Sequence, residues 1–329
     1  MTDKEIVTQI RVSSGTAITL GLTTGKLDVA PTTAYLMTYL NGKCRANCSF
    51  CAQARESKSN SHLLARVTWP IYPTARVLEA LTLALEQKKI SRVCIQTLNY
   101  PGVFDHLETL AKEIKNRTAE AISVSCQPQN QENIQRLKDA GVERLGIALD
   151  GITPKVFSNI KGSHYSWETQ FRLFGEALSI FGRGNVSTHL IVGLGETEQE
   201  TLETIQHCVD LGVLPALFAF TPIRGTALEK TLPPKLATYR RVQLARYLIV
   251  HSKVKASSVT YTAEGRIFDF GLEHRILEAI VASGLPFQTS GCPGCNRPYY
   301  NEKPSGPIYN YPKELNKKEI REIQELLAN

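Results

Sequence analysis

No stretch of this 329-residue chain is apolar for long enough to cross a bilayer, and its opening MTDKEIVTQIRVSSG carries no basic-then-apolar leader. The sequence therefore predicts a soluble, cytoplasmic protein with no membrane role. It also lacks a block of Lys and Arg interleaved with aromatics, so no nucleic-acid groove is expected. The formal charge of +7 reads as a diffusely basic surface, compatible with an acidic protein partner. Internal repeats and low-complexity linkers are missing, and no nucleophile–base constellation stands out. With 42% hydrophobic residues the chain can bury a substantial core, either as two domains or as one large α/β barrel.

What is present is cysteine. Eight occur, and in an intracellular chain of this size they point to metal ligation or redox chemistry before disulfides. Cys44, Cys48 and Cys51 fall in the single run KCRANCSFC, at the spacing C-x3-C-x2-C. That run supplies three thiolates and no fourth. A structural zinc site wants four ligands, usually from two C-x2-C pairs. A cubane 4Fe–4S cluster held by three thiolates leaves one iron open for another ligand, which fits better.

Short β-rich runs alternate with helical patterns, the sequence form of a parallel sheet built from β-α units. The expected strands are Ala34–Leu40, Arg92–Tyr100, Ala121–Gln127, Arg144–Asp150, Ser187–Gly195, Ala216–Pro222, Ser257–Glu264 and Gly284–Gly291. Helical segments include Pro73–Lys89, Gln131–Ala140, Glu198–Leu211 and Lys235–Ser252. Eight strands predict a (β/α)8 TIM-type barrel over residues 34–291, with an N-terminal extension (1–33) and a C-terminal tail (292–329) outside it. The tail opens on Cys292-Pro293-Gly294-Cys295, continues as an extended Pro-, Gly- and Tyr-rich loop and ends in a helical run, Lys313–Leu327. Chemistry in such barrels sits at the C-terminal ends of the strands. The Cys44–Cys51 loop follows the first strand and falls on that face. Cys292 and Cys295, following the eighth, are expected there too.

Period-two alternation assigns the strand faces. In Arg144–Asp150 it turns Gly146, Ala148 and Asp150 into the barrel, where Asp150 either binds ribose hydroxyls or caps the next helix. In Ser187–Gly195 it groups Ser187, His189 and Ile191; a satisfied interior histidine is the commoner outcome for His189. Gly193 and Gly195 permit close backbone approach to a ligand. Cys208, on an amphipathic helix, reads as a buried apolar thiol. Cys94, Cys126, Cys292 and Cys295 can complete a second cluster, with a zinc pair at Cys292 and Cys295 as the alternative. Cys126 shares parity with Ile122 and Val124, so it ligates only if its strand bends.

Over most of its length the chain resembles the biotin synthase-like branch of the radical S-adenosylmethionine (SAM) superfamily, through CRANCSFCAQAR, RVCIQTLNYPG, DAGVERLGIALDG, IVGLGET and PIRGTAL. That resemblance implies a SAM-binding 4Fe–4S cluster on Cys44, Cys48 and Cys51, with Phe50 as the usual aromatic of the loop. Candidate SAM contacts are Phe50, Asp150, Ile191 and Gly193. It also implies reductive cleavage of SAM to a radical that abstracts hydrogen. Of the ligands of biotin synthase's 2Fe–2S cluster, Cys94 and Cys126 are matched, while Ser187 and Tyr261 stand at the other two positions. The tail, SGCPGCNRPYYNE, is similar instead to that of a component of the archaeal-type, two-part lipoyl synthase. The resemblance thus implies a sulfurtransferase with an auxiliary 4Fe–4S sulfur donor on Cys94, Cys126, Cys292 and Cys295. Its partners would be an octanoylated lipoyl carrier domain, a sister radical SAM subunit and an electron donor protein. The alternatives are thiolation of a small substrate as in biotin synthase, a single-cluster mutase, methylase or maturase, and a non-catalytic iron–sulfur carrier.

Overall fold

The computed structural model describes residues 7–328; the first six residues of the expected N-terminal extension and residue 329 lie outside it. The chain runs β1 (Gln9–Val12), α1 (Ser14–Thr19), β2 (Thr33–Thr38), β3 (Leu63–Leu64), β4 (Val67–Thr68), β5 (Ile71–Pro73), α2 (Thr74–Glu86), β6 (Arg92–Gln96), α3 (Val103–Lys115) and β7 (Ala121–Cys126). It continues with α4 (Gln131–Asp139), β8 (Arg144–Ile147), α5 (Pro154–Lys161), α6 (Trp167–Phe181), β9 (Val186–Val192), α7 (Glu198–Leu211), β10 (Val213–Ala219) and α8 (Leu236–Val250). The remaining elements are β11 (Thr260–Tyr261), β12 (Ile267–Asp269), α9 (His274–Ala282) and α10 (Lys317–Ala328).

Eight strands form the main sheet, in the order β10-β9-β8-β7-β6-β2-β1-β5. The run from β2 through β10 is parallel, each strand followed by a helix that buries its apolar face on the sheet. This is the α/β architecture expected, and its strand total is eight, but two members differ. The last two places belong to β1 and β5, antiparallel strands from before the second parallel strand. Part of the N-terminal segment therefore joins the sheet. Residues Ser257–Glu264 instead form a 3₁₀ turn and one arm of the separate β11–β12 hairpin. Gly284–Gly291 holds a 3₁₀ turn and an isolated bridge from Gln288 to Tyr311. Both segments have strand-like composition, but neither pairs with the main sheet.

The tail links the end strand β10 to the β2 side. Leu217 N–H donates to Ser290 Oγ at 2.8 Å, Thr221 Oγ1 to Asn301 O at 2.9 Å, and Arg297 N–H to the Tyr35 hydroxyl at 2.9 Å. Local chemistry fixes the helices. Thr197 and Glu200 form a reciprocal capping box at the start of α7, and Gly212 ends that helix in the left-handed region, φ 101°. Among the described residues no helix is long and apolar enough to cross a membrane.

Candidate active site

The loop after β2 is tied down on several sides. Cys44 N–H donates to Gln53 O and Arg45 N–H to Asn99 O, at 2.9 and 2.8 Å. Ser49 N–H reaches Ile160 O at 2.8 Å. The Lys43 ammonium bridges Ala52 O and Ser59 O, both at 2.7 Å. Cys44 Sγ accepts the Asn99 N–H at 3.1 Å. Burial, with a neighbouring thiol adding to it, pushes the Cys51 thiol up to about 12. Burial likewise pushes Cys48 to about 11, against the pull of Lys161. Cys48 and Cys51 thus resist ionisation as free thiols, and a metal ligated there would offset the cost of the buried thiolate.

Beneath this loop lies a cavity of about 250 Å³ enclosed by the parallel strands. Gly146, Ala148 and Asp150 line it, as do Ser187, His189 and Ile191, so the period-two assignment of both strands holds. Asp150 lies beyond the end of β8 in the left-handed region, φ 63°, and its carboxylate accepts from Lys161 Nζ at 2.6 Å. Burial pulls the Lys161 ammonium down, but Asp150 and Cys48 outweigh it and the net shift is upward. The cap of α5 is Thr153, not Asp150. Gln127, at the strand end, gives its amide hydrogen to Ala148 O at 2.8 Å and leaves its Oε1 buried without a partner. Phe50 also lines the cavity. Gly193 does not: its N–H donates to Glu196 Oε1 at 2.6 Å, and a Cβ there would meet Pro234 at 2.7 Å. His189 is kept neutral by burial, which lowers it to about 4, and its ring lies tilted against Phe218 with centroids 4.9 Å apart.

At the far end of the cavity three other thiols gather. Tyr35 OH lies 3.2 Å from Cys295 Sγ, Ser123 Oγ 3.5 Å from Cys292 Sγ, and the Gln96 amide donates to Cys94 Sγ at 3.2 Å. Arg92 hydrogen-bonds Ser123 Oγ at 2.9 Å. The Cys94 thiol is raised by burial and then by Cys292 and Cys295, which places the three within one electrostatic neighbourhood.

Two expectations are corrected here. The Cys292–Cys295 turn is not on the face that carries the Cys44–Cys51 loop. Thr32, just before β2, donates its hydroxyl to Gly294 O at 2.6 Å, and Asn296 bonds Thr32 and Ala30. The turn thus closes the opposite, N-terminal end of the strands. Cys126 does not join it either. Cys126 borders the cavity at the last residue of β7, but the strand stays in register there, Cys126 opposite Ile147, which sets its side chain on the opposite face from Ser123, the residue that meets Cys292. Its thiol is raised by burial alone. Cys208 is fully buried on α7, as its pattern implied. Tyr261 stands on the outlying hairpin, where its hydroxyl donates to Ala256 O at 3.4 Å, and has no place in the cavity wall.

Sequence reasoning missed Lys161, Tyr35, Gln96 and Ser123. The last three line the cavity from β2, β6 and β7, and no pattern revealed that each would meet a cysteine. Among the described residues no three His, Cys, Asp or Glu side chains converge on a single-ion site. A cubane, which takes each thiolate on a different iron, does not require that convergence.

Comparison with known proteins identifies the family and the fold. The family model described as the radical SAM superfamily matches residues 38–208. The biotin synthase of Persephonella marina is 30% identical over 209 residues, 61% of this chain and 58% of that protein. That of Thermodesulfovibrio yellowstonii is 28% identical over 223 residues, 65% of each chain. The chain thus spans less than two thirds of these relatives' length. Methylornithine synthase (PylB) superposes with a TM-score of 0.52 at 14% identity, covering 68% of this chain and 63% of its own. HydG, a maturase of the [FeFe]-hydrogenase, gives 0.53 at 14% identity, over 66% and 49%. At such identities the likeness is one of fold.

Proposed function

The chain belongs to the radical SAM superfamily, and from that premise we propose that it is a sulfur-insertion enzyme acting on an octanoyl chain carried on a lysine of a lipoyl carrier domain. Membership brings a 4Fe–4S cluster and SAM. The residues fit both groups. Cys44, Cys48 and Cys51 would hold the cluster, and Phe50, Asp150, Ile191 and the unpartnered Gln127 Oε1 face the space beside it. Gly193 is withdrawn from the set of SAM contacts.

The observation that carries the reading is the placement of two thiol groups at opposite ends of one cavity. Cys94, Cys292 and Cys295 would hold the auxiliary cluster. When bound, the cofactors supply hydrogen abstraction from an unactivated C–H bond at one end and sulfide at the other. The chain's own residues bind, orient and exclude water. Ile191, Ala216, Phe218 and Phe220 make an apolar wall suited to an alkyl chain. Arg297 spans the cavity floor with its guanidinium 3.9 Å from the Phe218 ring. Asp150 and Lys161 fix the polar side of the mouth.

A sister radical SAM protein and an electron donor protein belong to the same proposal. Thiolation of a small substrate, as the biotin synthase matches favour, is the second reading. Against it, Ser187 and Tyr261 replace the two remaining ligands of the biotin-type cluster, and Tyr261 lies outside the cavity.

Reduced enzyme and SAM are incubated with an octanoylated carrier peptide and dethiobiotin together, with and without a candidate partner, and both substrates are weighed. A gain of one sulfur with this chain alone, and of two with the partner, supports the proposal. Thiolated dethiobiotin beside an untouched octanoyl peptide transfers it to the second reading.

A further inference from the structure

Cys292 and Cys295 have a second cavity behind them. A basin of about 410 Å³ opens at the base of the barrel between the start of β10, the last turns of α8 and the Gln288–Asn296 segment. Gly291, Cys292 and Cys295 line both this basin and the interior cavity, so the two-cysteine turn is the wall between them. That wall is thin. A Cβ at Gly294 would meet nothing within 4 Å, and one at Gly291 would meet only the Arg297 guanidinium at 4.0 Å.

The charge of the basin has one sign. Its lining carries Arg246 and His251 and no carboxylate. Arg246 gives its Nε–H to Pro215 O at 2.9 Å and finds no acidic side chain in the basin. Burial draws its guanidinium down to about 10, which leaves it charged at neutral pH. A cation set into the protein with no carboxylate beside it is costly, and an anion entering the basin offsets that cost. Thr289, Asn296 and Gln288 add neutral polar groups to the same wall.

We infer that this basin binds a small inorganic anion of the sulfide class, hydrosulfide, and admits it to Cys292 and Cys295 from the base of the barrel while the carbon substrate enters from the mouth. The inference rests on the function proposed above, because a cluster that gives up sulfur must be resupplied, and the basin reaches Cys292 and Cys295 from the side away from the Cys44–Cys51 loop. An anion arriving through the basin meets the two thiols without crossing the apolar wall. No bond forms or breaks in the basin; Arg246 holds the anion at the turn and the cluster site receives it.

The test uses holoenzyme incubated anaerobically with sodium sulfide labelled with sulfur-34. Label in acid-labile sulfide is followed in wild type and in a Cys292→Ala/Cys295→Ala variant, whose difference isolates the auxiliary share. Arg246→Met is expected to slow labelling of the auxiliary share at least fivefold at low sulfide and to leave the share of the Cys44–Cys51 cluster unchanged. Arg246→Lys should restore most of the rate. Val250→Trp narrows the basin without touching its charge and should slow the same share, so it carries the test if Arg246→Met does not fold. Equal labelling in wild type and both basin variants, or equal slowing of both shares, overturns the port. Wild type that holds only about four irons instead overturns the auxiliary cluster itself, a different failure with a different readout.

Discussion

Lys161 and Asp150 form a buried ion pair at 2.6 Å in the wall of the cavity, beside Cys48. Neither is reached by the other through helix geometry: Asp150 lies beyond the end of β8 in the left-handed region and Lys161 closes α5. The pair turns a carboxylate inward without leaving it an uncompensated charge. Removing one partner should therefore cost far more than removing both. Lys161→Met is expected to lower stability by about 3–5 kcal/mol, and Lys161→Met/Asp150→Leu to recover much of it. Denaturant midpoints check this. Equal losses in the single and double variants would show that the pair contributes by packing alone.

Replacing any of Cys44, Cys48 or Cys51 with Ala should reduce 5′-deoxyadenosine formation under strong reductant to background. It should also remove about four irons per chain. Undiminished 5′-deoxyadenosine in the triple variant would refute the assignment of the cluster to this loop.

The auxiliary site gives a sharper contrast. Wild type should carry about eight irons, and Cys292→Ala/Cys295→Ala about four, with SAM cleavage retained and sulfur transfer lost. Cys126→Ala should keep about eight, because its strand turns it away from the other three. Loss of the second cluster in Cys126→Ala would mean that β7 bends where the register shows it straight.

His189 carries a pH dependence. Burial, with Arg297 and Lys161 reinforcing it against Asp150, holds its folded pKa near about 4, below the usual 6.5. Between those values the unfolded chain binds the extra proton and the folded one does not. Stability should therefore fall as pH drops from about 6.5 to about 4 and be unaffected by this group above that window. His189→Gln should flatten that part of the stability–pH curve. An unchanged slope would show that other groups dominate acid unfolding.

The sequence by itself determined what lies close along the chain. Three cysteines within one short run cannot avoid sharing a loop, and that loop follows a strand, so the first thiol group and its face were legible. Alternation did the same for Gly146, Ala148, Ser187, His189 and Ile191, because a pleated strand leaves a side chain only two directions. The capping box of α7 lay in the run TEQE. What the tertiary structure decided was pairing. Ser257–Glu264 and Gly284–Gly291 are composed like strands, yet β1 and β5 take the last two places in the sheet. Propensity describes one segment, whereas an edge is won by whichever partner reaches it with matching hydrogen bonds. The gathering of Cys94 with Cys292 and Cys295, the exclusion of Cys126, and the closing of the barrel's base by the tail depend in the same way on contacts between residues far apart in the chain. No local pattern encodes those contacts, because their free energy exists only once the sheet has formed and the tail runs between β10 and the β2 side.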